Sequence, residues 1–222
     1  MRPFQKNAFW FLLVLAFSGA LVTGCEDGNG KADFTSISDS TFVSLGTAVT
    51  DEAFNSLSGH LGRSMQEGGV PFALTYCKEK AIPLTDSLSE HFGVQIRRTS
   101  TKNRNPSNAA TAAEQKILTL FDGRKDSPGM EKFAPEVRRA EAGPVSFYRP
   151  IFALGKCMAC HGRPGIELDS VNLAGIRELY PEDKAIGFQP GDLRGMWVVE
   201  FSDAARIDSL QKMLAPDPAP EK

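Results

Sequence analysis

Histidine is scarce in this chain, with three among 222 residues, at positions 60, 91 and 161. Cysteine is held to four, and only one pair is closely spaced. A closed structural zinc site draws four ligands, commonly from two such pairs, and the chain has too few. The apolar run from Ala8 to Val22 stops at fifteen residues, short of the roughly 20 a membrane-spanning helix needs. Basic residues form no run, and 25 Lys and Arg oppose 27 Asp and Glu for a formal charge of −2. That balance gives no electrostatic footprint for nucleic acid. No internal repeat is present, which excludes solenoids and propellers.

What is present begins with a targeting pattern. Arg2 and Lys6 precede the short apolar run, and small residues close it, as in a secretory signal over residues 1–24. The run ends in "LVTGC", which resembles the bacterial lipobox and marks Cys25 for lipidation and as the new N-terminus. Several acyl chains hold a protein at a membrane face far more firmly than one. Export to the periplasmic side of a bacterial membrane is therefore expected. Without residues 1–24 the chain keeps 198 residues and, two positive charges poorer, a balance of −4. "EDGNGKAD" reads as a polar tether over 25–39, and the proline-rich "APDPAPEK" at 215–222 as an unfolded tail. The 40–214 segment is long enough for one domain with its own core.

Apolar residues at Phe42, Leu45, Val49, Ala53, Leu57, Leu61 and Met65 recur in steps of three and four. They predict a long amphipathic helix to about Gln66, stopped by Gly68-Gly69. Pro71 suits the first turn of a second helix, "PFALTYCKEKA", and "LTDSLSEHF" reads as a third, ending at Gly93. "VQIRRTS", "GPVSFYRPIFA" and "GMWVVEFS" read as strands, with "ATAAEQKILTLF" and residues 203–214 helical. Helices first, then strands with few βαβ units, predict an α+β fold with an antiparallel sheet.

The chemistry is concentrated in "KCMACHGRPG" at 156–165. Cys157-x-x-Cys160-His161 admits three readings: a zinc half-site, a redox dithiol or a haem attachment site. Zinc lacks further ligands, and a thioredoxin-type dithiol is expected in a βαβ setting that this sequence does not provide. The remaining reading is one covalent haem c, for which Cys-x-x-Cys-His is the signature. Thioethers from Cys157 and Cys160 would fix the porphyrin edge, and the adjacent His161 imidazole would then reach the iron as proximal ligand. Such haem is matured outside the bacterial cytoplasm, in agreement with the signal sequence. The motif lies 132 residues after Cys25 with 61 behind His161, unlike a small cytochrome c, which carries it near the N-terminus. With Cys25 given to lipid and Cys157 and Cys160 to the porphyrin, Cys77 is the thiol without a task. It reads either as an iron ligand or as a buried structural thiol. Met65, Met130, Met196, His60 and His91 are the other candidates opposite His161.

Three stretches in order carry a family resemblance: "CKEKAIPLTDSLSEHFGVQIRRTSTKNRNPSNAAT", "FYRPIFALGKCMACHGRPG" and "YPEDKAIGFQPGDLRGMWVVEF". Over roughly 40–205 the chain resembles the exported single-haem c-type family with a PAS-like fold, known largely as a domain of unknown function. The resemblance implies a PAS-like sheet holding one haem, a redox or sensing role, and a distal cysteine ligand at the position of Cys77. A signalling role would need a partner that supplies the output.

Alternation along a strand lets only one of Arg97 and Arg98 point inward. Arg98, or Arg104 in "KNRNP", is a candidate for bidentate contact with haem propionates. Asn103, Asn105 and Asn108 read as loop-shaping residues. Tyr148, Phe152 and Trp197 read as core or pocket walls. "YPEDKAIG" reads as a short helix over the haem edge or as a surface connection. Function then falls into three classes. A redox or diatomic-gas sensor and a single-haem electron carrier with a redox partner stand level; a haem enzyme, with His60 or His91 as acid or base, stands behind them.

Overall fold

The computed structural model describes residues 33–141 and 143–215; Cys25 and the signal region lie outside them. Residues 33–38, assigned by composition to the tether, already pack on the domain. Phe34 is buried, and Arg139 donates to the carbonyls of Phe34 (2.9 Å) and Ile37 (2.6 Å).

Helix α1 spans Asp39–Phe92 and is capped by Ser38, whose Oγ accepts from the Thr41 amide. It is two arms joined at Gly68 (φ −152°) and Gly69 (φ 66°), the second a backbone state open to glycine. His60 and Tyr76 stack with ring centroids 5.7 Å apart. In a straight helix sixteen residues would separate them by about 24 Å, so the glycines reverse the chain into a hairpin. The break expected before "LTDSLSEHF" does not occur, and the second arm runs through Pro83. Pro83 and Glu79, the residue whose carbonyl it deprives of a partner, are both exposed, so water can satisfy that carbonyl. Thr85 and Ser89 hydroxyls donate to the Ala81 and Thr85 carbonyls across the same turns (2.8 and 2.9 Å). Gly93, at φ 66°, ends the arm, with the Val94 amide donating back to the Ser89 carbonyl.

Four antiparallel strands follow: β1 Gln95–Thr99, β2 Glu136–Arg139, β3 Val145–Phe152 and β4 Leu193–Phe201, in the order β1-β4-β3-β2. The expected α+β class, antiparallel sheet, flanking helices and long N-terminal helix are all present. Alternation sorts the side chains. Ile96, Phe147, Trp197, Val199 and Phe201 pack under α1 and under α5, Ile207–Leu214. Met196, Val198 and Tyr148 face α2, Ala112–Gly123, through Ile117, Leu118 and Phe121. A Cβ on Gly46 would lie 2.3 Å from the Phe147 ring, so glycine is what lets α1 approach the sheet closely there. The sequence reading missed β2 and α4, Ser170–Leu179. β2 is a four-residue edge strand, too short to show a period of two.

Candidate functional site

The two cysteines and the histidine of the motif lie on one tight turn, a 3-10 segment at Gly155–Cys157 running into α3, Met158–His161. Gly162 closes it by donating to the Met158 carbonyl (2.8 Å); a Cβ there would meet that oxygen at 2.6 Å. The next stretch of backbone is laid along the motif. Amides of Gly187 and Phe188 donate to the carbonyls of Gly162 and His161, each at 2.9 Å. "YPEDKAIG" is therefore a connection rather than a helix, and its task is to hold the histidine.

His161 Nδ1 lies 2.7 Å from the Ala185 carbonyl, which accepts only if Nδ1 carries the proton. That leaves the Nε2 lone pair free to bind a metal. Burial, with the Arg194 and Arg104 cations added, holds the imidazolium pKa well below the ordinary histidine range, so the ring is neutral. The Phe188 ring stands edge-on to it, with centroids 6.3 Å apart.

Arg104 is expended behind this arrangement. Its Nε donates to Asp183 (3.0 Å), and its Nη2 donates to the carbonyls of Cys160 (2.6 Å) and Ala185 (3.3 Å). Asp183 Oδ1 also accepts from the Ala185 amide (3.0 Å). One buried ion pair thus ties the Arg104 loop, the motif turn and the carbonyl that orients His161. A propionate contact at Arg104 would have to come from Nη1, because the Nε–Nη2 edge is engaged by Asp183 and the two carbonyls. Asn103 and Asn105 are loop formers as expected, with Asn105 Oδ1 accepting from the Ser107 amide at 3.0 Å.

Arg97 and Arg98 divide as strand alternation requires. Arg97 pairs with buried Glu114 on the α2 side. Arg98 lies over the Trp197 ring (5.6 Å) on the α1 side, beside Cys77, and makes no ion pair among the described residues. Sequence reasoning passed over Arg194, whose Nη1 donates to the Lys102 carbonyl (3.1 Å) with its Cζ 5.3 Å from the Phe188 centroid. Burial, with Arg104 and Arg98 nearby, pushes its pKa down to about 10. Tyr180 was also missed: burial and then Cys77 push its hydroxyl up to about 12.

Cys77 enters from the second arm of α1. Leu74, nearly one turn earlier on that arm, packs with Ala159 and Cys160. Burial raises both the Cys77 and the Cys160 thiols, and Arg98 and Arg104 pull Cys77 the other way. Cys77, Cys157 and Cys160 are free thiols. The other candidates lie elsewhere: His60 is bonded to Arg63 and stacked on Tyr76, and His91 is exposed. Met196 is buried on the α2 side of the sheet, and Met65 and Met130 are exposed. Among the described residues no group of three or more His, Cys, Asp or Glu side chains converges to hold a bare metal ion. None of the described helices is long and apolar enough to cross a membrane.

No curated protein matches the chain. Among solved structures it is similar to the crystal structure of the cyanobacterial heme-protein Tll0287, at 30% identity over 55% of this chain and 70% of that one, with a TM-score of 0.45. The Tll0287-like family matches residues 35–202, a span running from the start of α1 through the motif to the end of β4. The chain belongs to the Tll0287-like family.

Proposed function

We propose that the protein is an exported, lipid-anchored c-type haem protein that senses redox state or a diatomic gas. The observation that carries the haem reading is the Cys157-x-x-Cys160-His161 turn, with its imidazole held neutral and its Nε2 left free by the Ala185 carbonyl. The site's chemistry fits this group: two free thiols at attachment spacing, a nitrogen ligand, and buried cations that call for an anion. Kinship with a family that includes a named heme-protein supports the same reading. Haem bound there would supply a one-electron iron centre with axial positions for protein or gas ligands.

This chain's residues do the rest. Cys157 and Cys160 would tether the group. His161 would hold it from the motif side, in an orientation set by Arg104, Asp183 and Ala185. Cys77 approaches from α1, a separate element, so gain or loss of its sulfur changes what that helix is tied to. This separation favours sensing over electron transport, for which two ligands from one rigid frame suffice. Cys25 would anchor the chain to the membrane, and the sensor would act on a signalling or redox partner.

Optical and EPR spectra of the matured protein in both oxidation states test this. Loss of one axial ligand on reduction is the expected result. The same two protein ligands in both states would make it an electron carrier, and an open position in both would favour an enzyme. Membrane fractionation of Cys25→Ser should find the haem-loaded protein in the soluble fraction; a variant that stays membrane-bound would overturn the lipid anchor.

A further inference from the structure

Four cations surround His161 and Phe188: Arg98, Arg104, Arg194 and Lys102. Among the described residues one carboxylate answers them, Asp183, and Arg104 takes both of its oxygens, at 3.0 and 3.5 Å. Arg98 and Arg194 are half-buried, and the Arg194 Nε is buried outright. Guanidinium atoms withdrawn from water without a counter-charge are costly, and an occupant that neutralises them relieves that cost. We infer that Arg98 and Arg194, rather than Arg104, form the receptor for the two propionate carboxylates of the haem; this rests on the haem reading above.

The geometry of Arg194 is specific. Its Nη1 is spent on the Lys102 carbonyl, and its Nε is buried with no hydrogen-bond partner among the described residues. Nε and Nη2 make up the opposite edge of the guanidinium, the edge that takes a carboxylate through two parallel bonds. The side chain is thus oriented by one bond and left with a two-donor face to fill. Arg98 is held on the cofactor side by strand alternation, since its neighbour Arg97 is fixed to Glu114 on the other face. The two arginines come from paired strands, β1 and β4: Arg98 lies opposite Trp197, and Arg194 sits at a register shift, where Gly195 pairs with Ile151 and Leu193 with Phe152. That irregularity interrupts the alternation that would otherwise send Arg194 to the face opposite Arg98. Lys102 lies 4.7 Å from the Phe188 centroid and reinforces the positive field beside Arg194.

The receptor has an electrical consequence. Cations beside an iron centre favour the more electron-rich ferrous form, opposing an anionic sulfur ligand. Removing one should lower the reduction potential.

The test uses the full chain matured with haem, comparing wild type with Arg98→Gln, Arg194→Gln, Arg194→Lys and Arg104→Gln. Denaturing mass spectrometry first establishes attached haem. Resonance Raman then reads the propionate bending band and the iron–histidine band, and titration gives the potential. In Arg194→Gln and Arg98→Gln the propionate band should move, and the reduction equilibrium should shift about tenfold toward ferric, about 59 mV for one electron. Arg194→Lys keeps the charge and loses the fork, so the band should move with little change in potential; it also serves if the glutamine variant does not fold. Arg104→Gln should disturb the iron–histidine band and leave the propionate band in place. Attached haem with an unmoved propionate band in both Arg98 and Arg194 variants would overturn the receptor alone. A wild-type chain that takes no haem would overturn the parent reading and the receptor with it.

Discussion

Replacing Cys157 and Cys160 together by serine should abolish covalent haem, leaving under denaturing mass spectrometry only the mass of the polypeptide. The wild-type chain from the same cells should carry one added haem, and Cys77→Ser should keep it. The reasoning is positional. The two thiols lie on one turn, with His161 directly after the second, and the Ala185 carbonyl aligns its imidazole. The turn is held chiefly by backbone bonds from 187–188 and by Arg104; the one sulfur contact, Leu154 amide to Cys157 Sγ at 3.4 Å, is one a serine hydroxyl can also accept. The double variant should therefore still fold while losing the tether completely. Full haem mass in the double variant, or none in wild type from cells that demonstrably mature another cytochrome c, would overturn the attachment.

Cys77→Ala should change the ferric EPR spectrum from a low-spin thiolate signal to high spin or to a different sixth ligand. A thiolate pushes electron density onto iron and stabilises the ferric state, whereas neutral ligands raise the potential. The variant's potential should rise by about a tenth of a volt or more, within the roughly 0.8 V that axial ligands command. The surroundings of Cys77 make this ligand conditional. Burial favours the neutral thiol, and Arg98 and Arg104 favour the thiolate, so the balance is set by the charge at the metal. Reduction would lower that charge, and the sulfur, taking up a proton from solvent, should then leave as the thiol that burial favours. An unchanged spectrum in Cys77→Ala would remove both the ligand and the sensing mechanism built on it.

The motif, the main strands and the division of labour between Arg97 and Arg98 were legible because each depends on a local rule: a fixed spacing, a period of two, alternation of faces. The clamp at Arg104 and the unfilled edge of Arg194 were not, although Arg98 already stood as a candidate. Arg104 and Arg194 look alike in sequence. Which one is spent on carbonyls and which is left with a free edge depends on where residues 183–185 and Lys102 arrive, and both contacts span about eighty residues or more. The role of Ala185 is carried by its backbone carbonyl, which no side-chain pattern reports. The uninterrupted second arm was hidden for a related reason: the cost of Pro83 inside a helix depends on whether the Glu79 carbonyl it frees can reach water, and exposure is a tertiary property.

The second arm of α1 can also be read as a lever. It runs between Gly69 and Gly93, both at φ 66°, with Cys77 one third of the way along. At 1.5 Å per residue, the thiol lies about 12 Å from the hairpin tip and about 24 Å from the Gly93 end. Tilting about Gly93 enlarges any travel of the sulfur about one and a half times at the tip. Any such travel would be felt where Met65 and Phe72 stand exposed on either side of the glycine pair.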